Sequence, residues 1–289
     1  MQAIAQIGNY ELYPIETGTF GLDGGAMFGI VPKPLWEKKT TPDEKNRIPL
    51  AARALLLKGN GRQILIETGN GTKWQDKDKK IYAIESQSHD LISSLKKVGV
   101  SPEDIQDVIL THLHFDHAGG ATRYDGSPDK IVPTFPNATY HVQETNWIHA
   151  NDPTPRDAGS FRKMDFMALK TSDQLKLHLT TPVFNHDEEI LPGIQAIICF
   201  GHTPGLQMIK IGDDEQTVVY CADMIPTAAH LPIPWVMGYD LQPAVTVKEK
   251  HALLKNCYEK DWQIFFCHDP RIGLAQISQD EQGKPVVMG

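Results

Sequence analysis

The stretch Thr111-His112-Leu113-His114-Phe115-Asp116-His117 contains three histidines and one aspartate within six residues. It follows Asp107-Val108-Ile109-Leu110, an apolar run typical of a buried strand, and it precedes the pair Gly119-Gly120, which permits a tight turn. In extended backbone the first two histidines point the same way, and a turn brings the aspartate and the third histidine toward them. We therefore predict a loop at a strand end, where a rigid scaffold commonly presents functional side chains.

The residue types in this loop predict a metal centre. Imidazole and carboxylate groups are ligands for borderline divalent metals such as Zn²⁺. Four of them exceed what one tetrahedral ion that also binds substrate can use, so we predict two adjacent metal sites. A lone histidine is more often a surface or core residue, but these groups beside apolar Leu113 and Phe115 are costly to bury unless something pairs them.

Composition limits the class of protein. The chain has 289 residues, of which 40% are hydrophobic and 22% charged, as is ordinary for a soluble globular enzyme. We expect a single hydrolase domain over residues 1–289. The net charge of −8 disfavours general nucleic-acid binding, which requires a basic surface.

Cysteine usage and the N-terminus indicate a cytoplasmic protein. The cysteines have no CxxC spacing and lie in apolar sequence, which predicts free, buried thiols at Cys199, Cys221, Cys257 and Cys267. Residues 1–13 lack the basic and apolar regions of a signal peptide, and no apolar stretch approaches transmembrane length. We expect no membrane partner.

Three further ligand candidates each follow a strand-like run. His202 lies in the loop Gly201-His202-Thr203-Pro204-Gly205, and His268 follows the last buried strand. Asp223 follows another strand, and its two oxygens could each take one ion and so bridge two metals. Glu67, at the end of a strand before a glycine turn, either orients a metal-bound histidine or only caps the turn.

The surrounding pattern predicts α/β structure. Ala52 to Leu57 and Gln63 to Ile66 are typical of a hairpin. Ser88 to Val98 has a helical apolar face, which gives a β-α-β order up to the histidine loop. Thr246 to Tyr258 predicts a helix that begins with a capping box of Thr246 and Glu249.

Two apolar segments either pack within the fold or line a substrate pocket. Residues 18–29 contain five glycines and predict a flexible loop. Residues 225–240 form a proline-rich loop in which His230 or Tyr239 could contact substrate. The candidate pocket residues are Met27, Phe28, Trp36, Trp235 and Met237.

The ordered set of histidines and aspartates resembles that of the metallo-β-lactamase superfamily, and the resemblance covers nearly the whole chain. It implies an α/β fold, a four-layer αβ/βα sandwich of two mixed sheets flanked by helices. It also implies one metal held by His112, His114 and His202, and a second held by Asp116, His117 and His268, with Asp223 bridging them.

Within this family the chain resembles the N-acyl-homoserine lactonases. A β-lactamase is expected to lack the bridging acid or to use a cysteine ligand, and a flavodiiron-type protein replaces His114 with glutamate. The segment after His268 leaves no room for the helical domain of glyoxalase-II-like thioesterases, and the basic arm usual in tRNA-processing nucleases is missing. The stretches Asp23 to Gly29 and Pro226 to Asp240 resemble those of quorum-quenching lactonases.

One departure keeps alternatives open. Many such lactonases have a substrate-contacting tyrosine three residues after the bridging aspartate, where this chain has Pro226. His230 or Tyr239 could replace it. A phosphotriester or aryl ester hydrolase of the methyl-parathion-hydrolase kind is a second interpretation, and a non-catalytic binding member of the fold is a third.

The lactonase resemblance implies that a metal-bridging hydroxide opens the ring of a small-molecule lactone. Asp116 is then both a ligand and a candidate proton shuttle to the leaving alkoxide. Zn²⁺ is the first expectation for both ions, although His and Asp ligands also suit Mn, Fe or Co. An apolar N-terminal loop hints at a homodimer.

Overall fold

The computed structural model of the chain describes residues 2–85, 90–180, 187–213 and 216–288. The chain divides into two compact units. The first consists of Met1–Thr19 and Ala52–Thr180, and the second of Phe20–Ala51 and Thr181–Gly289. A single domain over 1–289 stays a prediction.

The strands of the described residues form two large mixed sheets and one small hairpin. In the first sheet the order is β1-β2-β3-β4-β5-β8-β9, in the second it is β10 through β16 in sequence, and β6 pairs with β7. The bounds are β1 (Ala5–Ile7), β2 (Tyr10–Asp23), β3 (Arg47–Gly59), β4 (Arg62–Ile66), β5 (Asp107–Ile109), β6 (Thr122–Tyr124), β7 (Ile131–Pro133), β8 (Thr139–Gln143), β9 (Leu175–His178), β10 (Asp187–Leu191), β11 (Ile194–Cys199), β12 (Leu206–Gly212), β13 (Thr217–Tyr220), β14 (Gln263–Phe265), β15 (Leu274–Gln279) and β16 (Pro285–Val287).

The helices are mostly short. The α-helices are α1 (Gly24–Phe28), α2 (Lys33–Trp36), α3 (Asp76–Tyr82), α4 (Leu91–Lys97), α5 (Phe115–Ala118), α6 (Glu144–Asn151), α7 (Met167–Thr171) and α8 (Pro243–Lys260). Single turns of 3-10 helix span Pro102–Asp104, Ala158–Ser160, Lys163–Asp165, Ala222–Met224 and Ala228–His230. No helix in the described ranges is long and apolar enough to cross a membrane.

The β-α-β order before the histidine loop is confirmed. β3 and β4 form the predicted hairpin, with Asn60 and Gly61 both at positive φ in the turn, as type I′ geometry requires. Asp90 caps α4 by accepting from the backbone N–H of Ser93, and Ser88, the predicted helix start, lies outside the described residues. β5 then runs parallel to β4 with every residue buried.

Two predicted local features are wrong. Residues 18–29 are not a loop, because β2 continues to Asp23, which caps the short helix α1. A Cβ on Gly24 would lie 2.4 Å from the Trp36 ring, so this glycine serves close packing. Helix α8 begins at Pro243 rather than at Thr246, so Thr246 and Glu249 form no capping box.

The four cysteines are free and buried, as predicted. Cys199, Cys221 and Cys257 belong to the hydrophobic core between the second sheet and α8. Burial raises the pKa of the Cys221 thiol above its ordinary value and that of Cys257 to about 12. Cys199, Cys221 and Cys257 therefore pack as small apolar groups and not as nucleophiles or ligands.

Candidate metal centre

The first unit presents four predicted ligands on one loop. After β5 the chain passes through Thr111 and continues into the one-turn helix α5, which carries Asp116 and His117. The backbone N–H of Leu113 donates to the buried amide oxygen of Asn146 at 3.0 Å, which fixes the middle of the loop. The four side chains are almost fully buried, with exposures of 0 to 8%.

The imidazoles and the carboxylate of this loop lie close to one another. His112 Nε2 is 3.0 Å from His114 Nδ1, and the rings of His112 and His117 have centroids 4.0 Å apart. His117 Nε2 lies 3.7 Å from an oxygen of Asp116. The first unit alone therefore gathers three ring nitrogens and a carboxylate in a buried space, as the spacing of the sequence predicts.

Glu67 orients this loop. One of its carboxylate oxygens accepts from the backbone N–H of Thr111 at 2.6 Å, and the other lies 2.9 Å from His117 Nδ1. Glu67 has φ of +69°, a conformation that costs a non-glycine residue free energy. Glu67 thus contacts both the loop backbone and His117 Nδ1, the arrangement in which a carboxylate orients a metal-bound histidine. That His117 binds a metal stays a prediction.

The second unit presents three predicted ligands from three separate strand ends. His202 follows β11, Asp223 lies in the 3-10 turn after β13, and His268 follows β14. Gly201 admits the close approach of α8, because a Cβ there would lie 2.4 Å from the backbone nitrogen of Thr246. The glycine in the GHTPG loop therefore has a packing role beside His202.

Asp223 lies between two histidines and presents one oxygen to each. Its Oδ2 is 3.2 Å from His202 Nε2, and its Oδ1 is 3.0 Å from His268 Nε2. The other ring nitrogens are occupied, since His202 Nδ1 lies 2.9 Å from Asp240 and His268 Nδ1 lies 2.8 Å from the carbonyl oxygen of Ala51. Both Nδ1 atoms therefore act as hydrogen-bond donors. The lone pair of each ring is then on Nε2, the atom that faces Asp223.

These donors fit divalent metal ions. Within each unit the predicted ligands lie close together as imidazole and carboxylate groups, the donor types that bind divalent metals. A histidine that binds a metal through one ring nitrogen usually donates its other N–H to a carboxylate or a backbone carbonyl, and these buried histidines donate from Nδ1 in that way. Neutral imidazoles and carboxylates without thiolate partners suit Zn²⁺ and its neighbours in the first row.

Sequence reasoning missed one residue of this region. The sequence places Asp240 only at the end of a pocket loop, although its carboxylate lies 2.9 Å from His202 Nδ1 and orients that ring. No local signal marks Asp240, because it lies 38 residues from His202 along the chain.

The two candidate contact residues differ in environment. His230 is buried, with Nδ1 2.8 Å from the Thr227 hydroxyl and Nε2 2.9 Å from the carbonyl oxygen of Met27. Burial lowers its pKa to about 3. Both nitrogens of His230 are therefore engaged inside the fold, which assigns it to packing, whereas Tyr239 is 36% exposed.

The candidate pocket residues are mostly packed against one another. Phe28 stacks on Trp36 with ring centroids 5.3 Å apart and on His230 at 4.4 Å, and it meets Trp235 edge-on at 5.8 Å. Met27, Phe28, Trp36 and Met237 are buried, and Trp235 is half-buried. Of this group, Trp235 has the side chain most available to a ligand.

A family model identifies the chain. The model of the metallo-beta-lactamase superfamily matches residues 47–270, well over half of the sequence. The chain belongs to the metallo-beta-lactamase superfamily. The resemblance predicted from the histidine and aspartate pattern is therefore confirmed.

Curated relatives of this superfamily member include N-acyl homoserine lactonases. The lactonase of Bacillus thuringiensis is 27% identical over 183 residues, which are 62% of each chain. AttM of Rhizobium radiobacter is 22% identical over 213 residues, covering 73% of this chain and 75% of AttM. The match thus spans slightly less than two thirds of the B. thuringiensis lactonase, and it supports the lactonase-like branch.

Solved structures confirm the predicted metallo-β-lactamase fold. A probable metal-dependent hydrolase from Staphylococcus aureus is 28% identical, with a TM-score of 0.87 over 98% of this chain and 99% of that one. AidC, a dizinc quorum-quenching lactonase, has a TM-score of 0.78 at 21% identity, covering 98% of this chain and 95% of AidC.

Proposed function

We propose that the chain is a dinuclear-metal hydrolase that opens the lactone ring of N-acyl homoserine lactones or of similar lactones. The observation that carries the proposal is the Asp223 carboxylate, which presents one oxygen to His202 and the other to His268. A carboxylate placed in this way suits a ligand shared between two ions. The lactonase relatives support the choice of substrate class.

The proposed ligand sets follow the family pattern. His112, His114 and His202 would hold one ion, and Asp116, His117 and His268 the other, with Asp223 shared. Zn²⁺ is the first choice, and Mn, Fe or Co suit the same donors. When bound, such ions lower the pKa of water from about 15.7 toward ~7 and polarise a carbonyl.

The chain's own residues prepare this chemistry. Glu67 and Asp240 fix the tautomers of His117 and His202, which leaves Nε2 of each ring as the atom that would bind a metal. Asp116, buried but at the edge of its cluster with 8% exposure, is the proposed proton carrier to the leaving alkoxide. Tyr239 is the proposed hydrogen-bond donor to the lactone, because both nitrogens of His230 are engaged.

Apolar burial would hold the acyl chain. Trp235 is half-buried on the loop that also carries Met237 and Tyr239. Each Å² of apolar surface removed from water contributes about 25 cal/mol. A small-molecule lactone is thus the proposed partner, and homodimer assembly and a cytoplasmic location stay predictions.

The test is hydrolysis of N-hexanoyl homoserine lactone by the purified protein, before and after chelation, with paraoxon assayed in parallel. We expect lactone opening that chelation abolishes and that Zn²⁺ restores. Paraoxon cleavage without lactone opening would move the substrate class to phosphotriesters. Lactone opening that survives complete metal removal would refute the metal mechanism.

A further inference from the structure

Helix α8 contains a buried lysine that no part of the proposed chemistry uses. Lys250 is fully buried, and its ammonium group forms no ion pair with any acid of the described residues. Burial lowers its pKa to about 7. A buried charge without an ionic partner is costly to keep, so the contacts of Lys250 must satisfy its ammonium in another way.

The ammonium of Lys250 donates to three backbone carbonyls of one segment. Nζ lies 2.8 Å from the oxygen of His230, 3.2 Å from that of Pro232 and 2.6 Å from that of Trp235. These residues lie in the proline-rich stretch that carries the proposed pocket residues. Short-range backbone bonds, such as Trp235 N–H to the carbonyl of Pro232, also hold this stretch, but its prolines supply no N–H donor. Lys250 adds donors to three of its carbonyls from a separate helix.

The same segment is anchored at both of its ends. At its N-terminal end His230 Nε2 lies 2.9 Å from the carbonyl oxygen of Met27 in α1, and near its C-terminal end the N–H of Gly238 donates to the carbonyl of Ala26 at 2.8 Å. Asp240 contacts His202, and the N–H of Leu241 donates to the His202 carbonyl at 3.1 Å. The position of residues 230–240 is therefore coupled to a proposed metal ligand at one end and to the aromatic stack at the other.

The neighbouring residue on α8 has a matching role for a different loop. The Glu249 carboxylate accepts from the backbone N–H groups of Phe200 and Gly201, at 2.8 and 3.1 Å. Two adjacent residues of opposite charge thus hold two loops, Glu249 through backbone donors and Lys250 through backbone acceptors. The exposed Lys248 of the same helix has no such contact and provides a control.

We infer that Lys250 is a positioning residue that fixes the wall of the substrate pocket formed by residues 230–240 and thereby sets the acyl-chain preference. The inference rests on the proposed lactonase function for its kinetic part. Its mechanical part, that Lys250 holds this segment, is independent of substrate. The account differs from general stabilisation because it predicts a change centred on residues 230–240 and on the chain-length preference.

The kinetic experiment compares Lys250→Met, which keeps the length of the side chain and removes its donors, with Lys248→Met. In Lys250→Met we expect KM for long-chain lactones to rise on the order of tenfold, the factor that corresponds to one charge-assisted hydrogen bond. We expect the ratio of kcat/KM between decanoyl and butanoyl lactones to change by more than kcat or metal content, which respond only through Tyr239 and Asp240 of the same segment. Lys248→Met should match the wild type throughout.

Hydrogen exchange of the same variants tests the mechanical part without substrate. Amides of residues 228–242 should exchange at least about tenfold faster in Lys250→Met, with no change in residues 107–121.

If the methionine variant does not fold, Lys250→Gln, which retains one donor group, takes its place with a smaller effect in the same direction. If the wild type opens no lactone, the proposed function fails while the exchange result still decides the role of Lys250. Unchanged exchange in 228–242, or an unchanged chain-length ratio in an active variant, would overturn the inference.

Discussion

The two units assemble their ligand clusters by opposite routes. The first unit takes four proposed ligands from six consecutive residues of one loop, whereas the second takes three proposed ligands from three strand ends spread over 67 positions between 202 and 268. A short loop can fix its own geometry with a few local bonds. The dispersed cluster depends on the packing of the whole second sheet.

The orienting partners differ in the same way. Glu67 serves both the loop backbone at Thr111 and the ring of His117. In the second unit, Asp240 serves His202 and the carbonyl of Ala51 serves His268. One substitution in the first unit should therefore disturb more of its cluster than one substitution of an orienting residue in the second.

The largest expected effect follows from removal of the shared carboxylate. In Asp223→Ala we expect lactone turnover to fall on the order of a thousandfold, because metal-ion catalysis contributes several kcal/mol and about 1.4 kcal/mol is a factor of ten. Steady-state kinetics with measured metal content check this. Asp129→Ala, at an exposed position, is the matched control. A comparable loss of lactone turnover in this control would contradict the proposed role of Asp223.

A smaller effect should separate the two orienting acids. Glu67→Gln can accept only one of its two hydrogen bonds, so metal affinity should fall about 10- to 100-fold, the range for outer-shell partners. The fall in metal affinity for Asp240→Asn should be at the lower end of that range, because Asp240 contacts only one of the proposed ligands. Competition with a coloured chelator measures both affinities, and equal losses would argue against the proposed difference between the units.

The acid response should reveal the packing role of His230 in the second unit. The pKa of His230 is lowered to about 3, so its imidazole is neutral in the folded protein. In the unfolded protein the same imidazole binds a proton below about pH 6.5. Its contribution to stability is present above pH 6.5 and is lost as the pH falls toward 3. Between pH 7 and 5 this loss should be on the order of 1–2 kcal/mol. Urea unfolding of His230→Gln should show a correspondingly weaker pH dependence than the wild type, and an equal dependence would contradict the assignment.

The smallest effect concerns backbone strain beside the shared carboxylate. Ala222 has φ of +47°, a left-handed conformation that favours glycine. Ala222→Gly should raise the free energy of unfolding by up to about 1 kcal/mol. Ala228→Gly, at a position without positive φ, should lower it, and the same sign for both variants in thermal unfolding would contradict the interpretation.

Local chemistry explains what the sequence could predict. The histidine loop, the β3–β4 hairpin and the metal-ligand types follow from residue spacing and turn residues, and the ordered pattern supplied the family. The start of helix α8 and the presence of helix α1 differ from the sequence prediction because tertiary contacts decide them. Glu249 binds the backbone near His202, and Gly24 packs on Trp36. The roles of Asp240 and Lys250 depend on contacts between distant segments, which no local pattern reveals.

The central proposal is that the contiguous and the dispersed ligands together hold two metal ions. Metal content after equilibrium dialysis, measured by plasma mass spectrometry, tests it most directly. The account predicts two ions per chain in the wild type, one in His114→Ala, one in His268→Ala and none in the double variant, with activity lost in step. A wild type that binds at most one ion, or a metal-free variant with full lactone turnover, would contradict it.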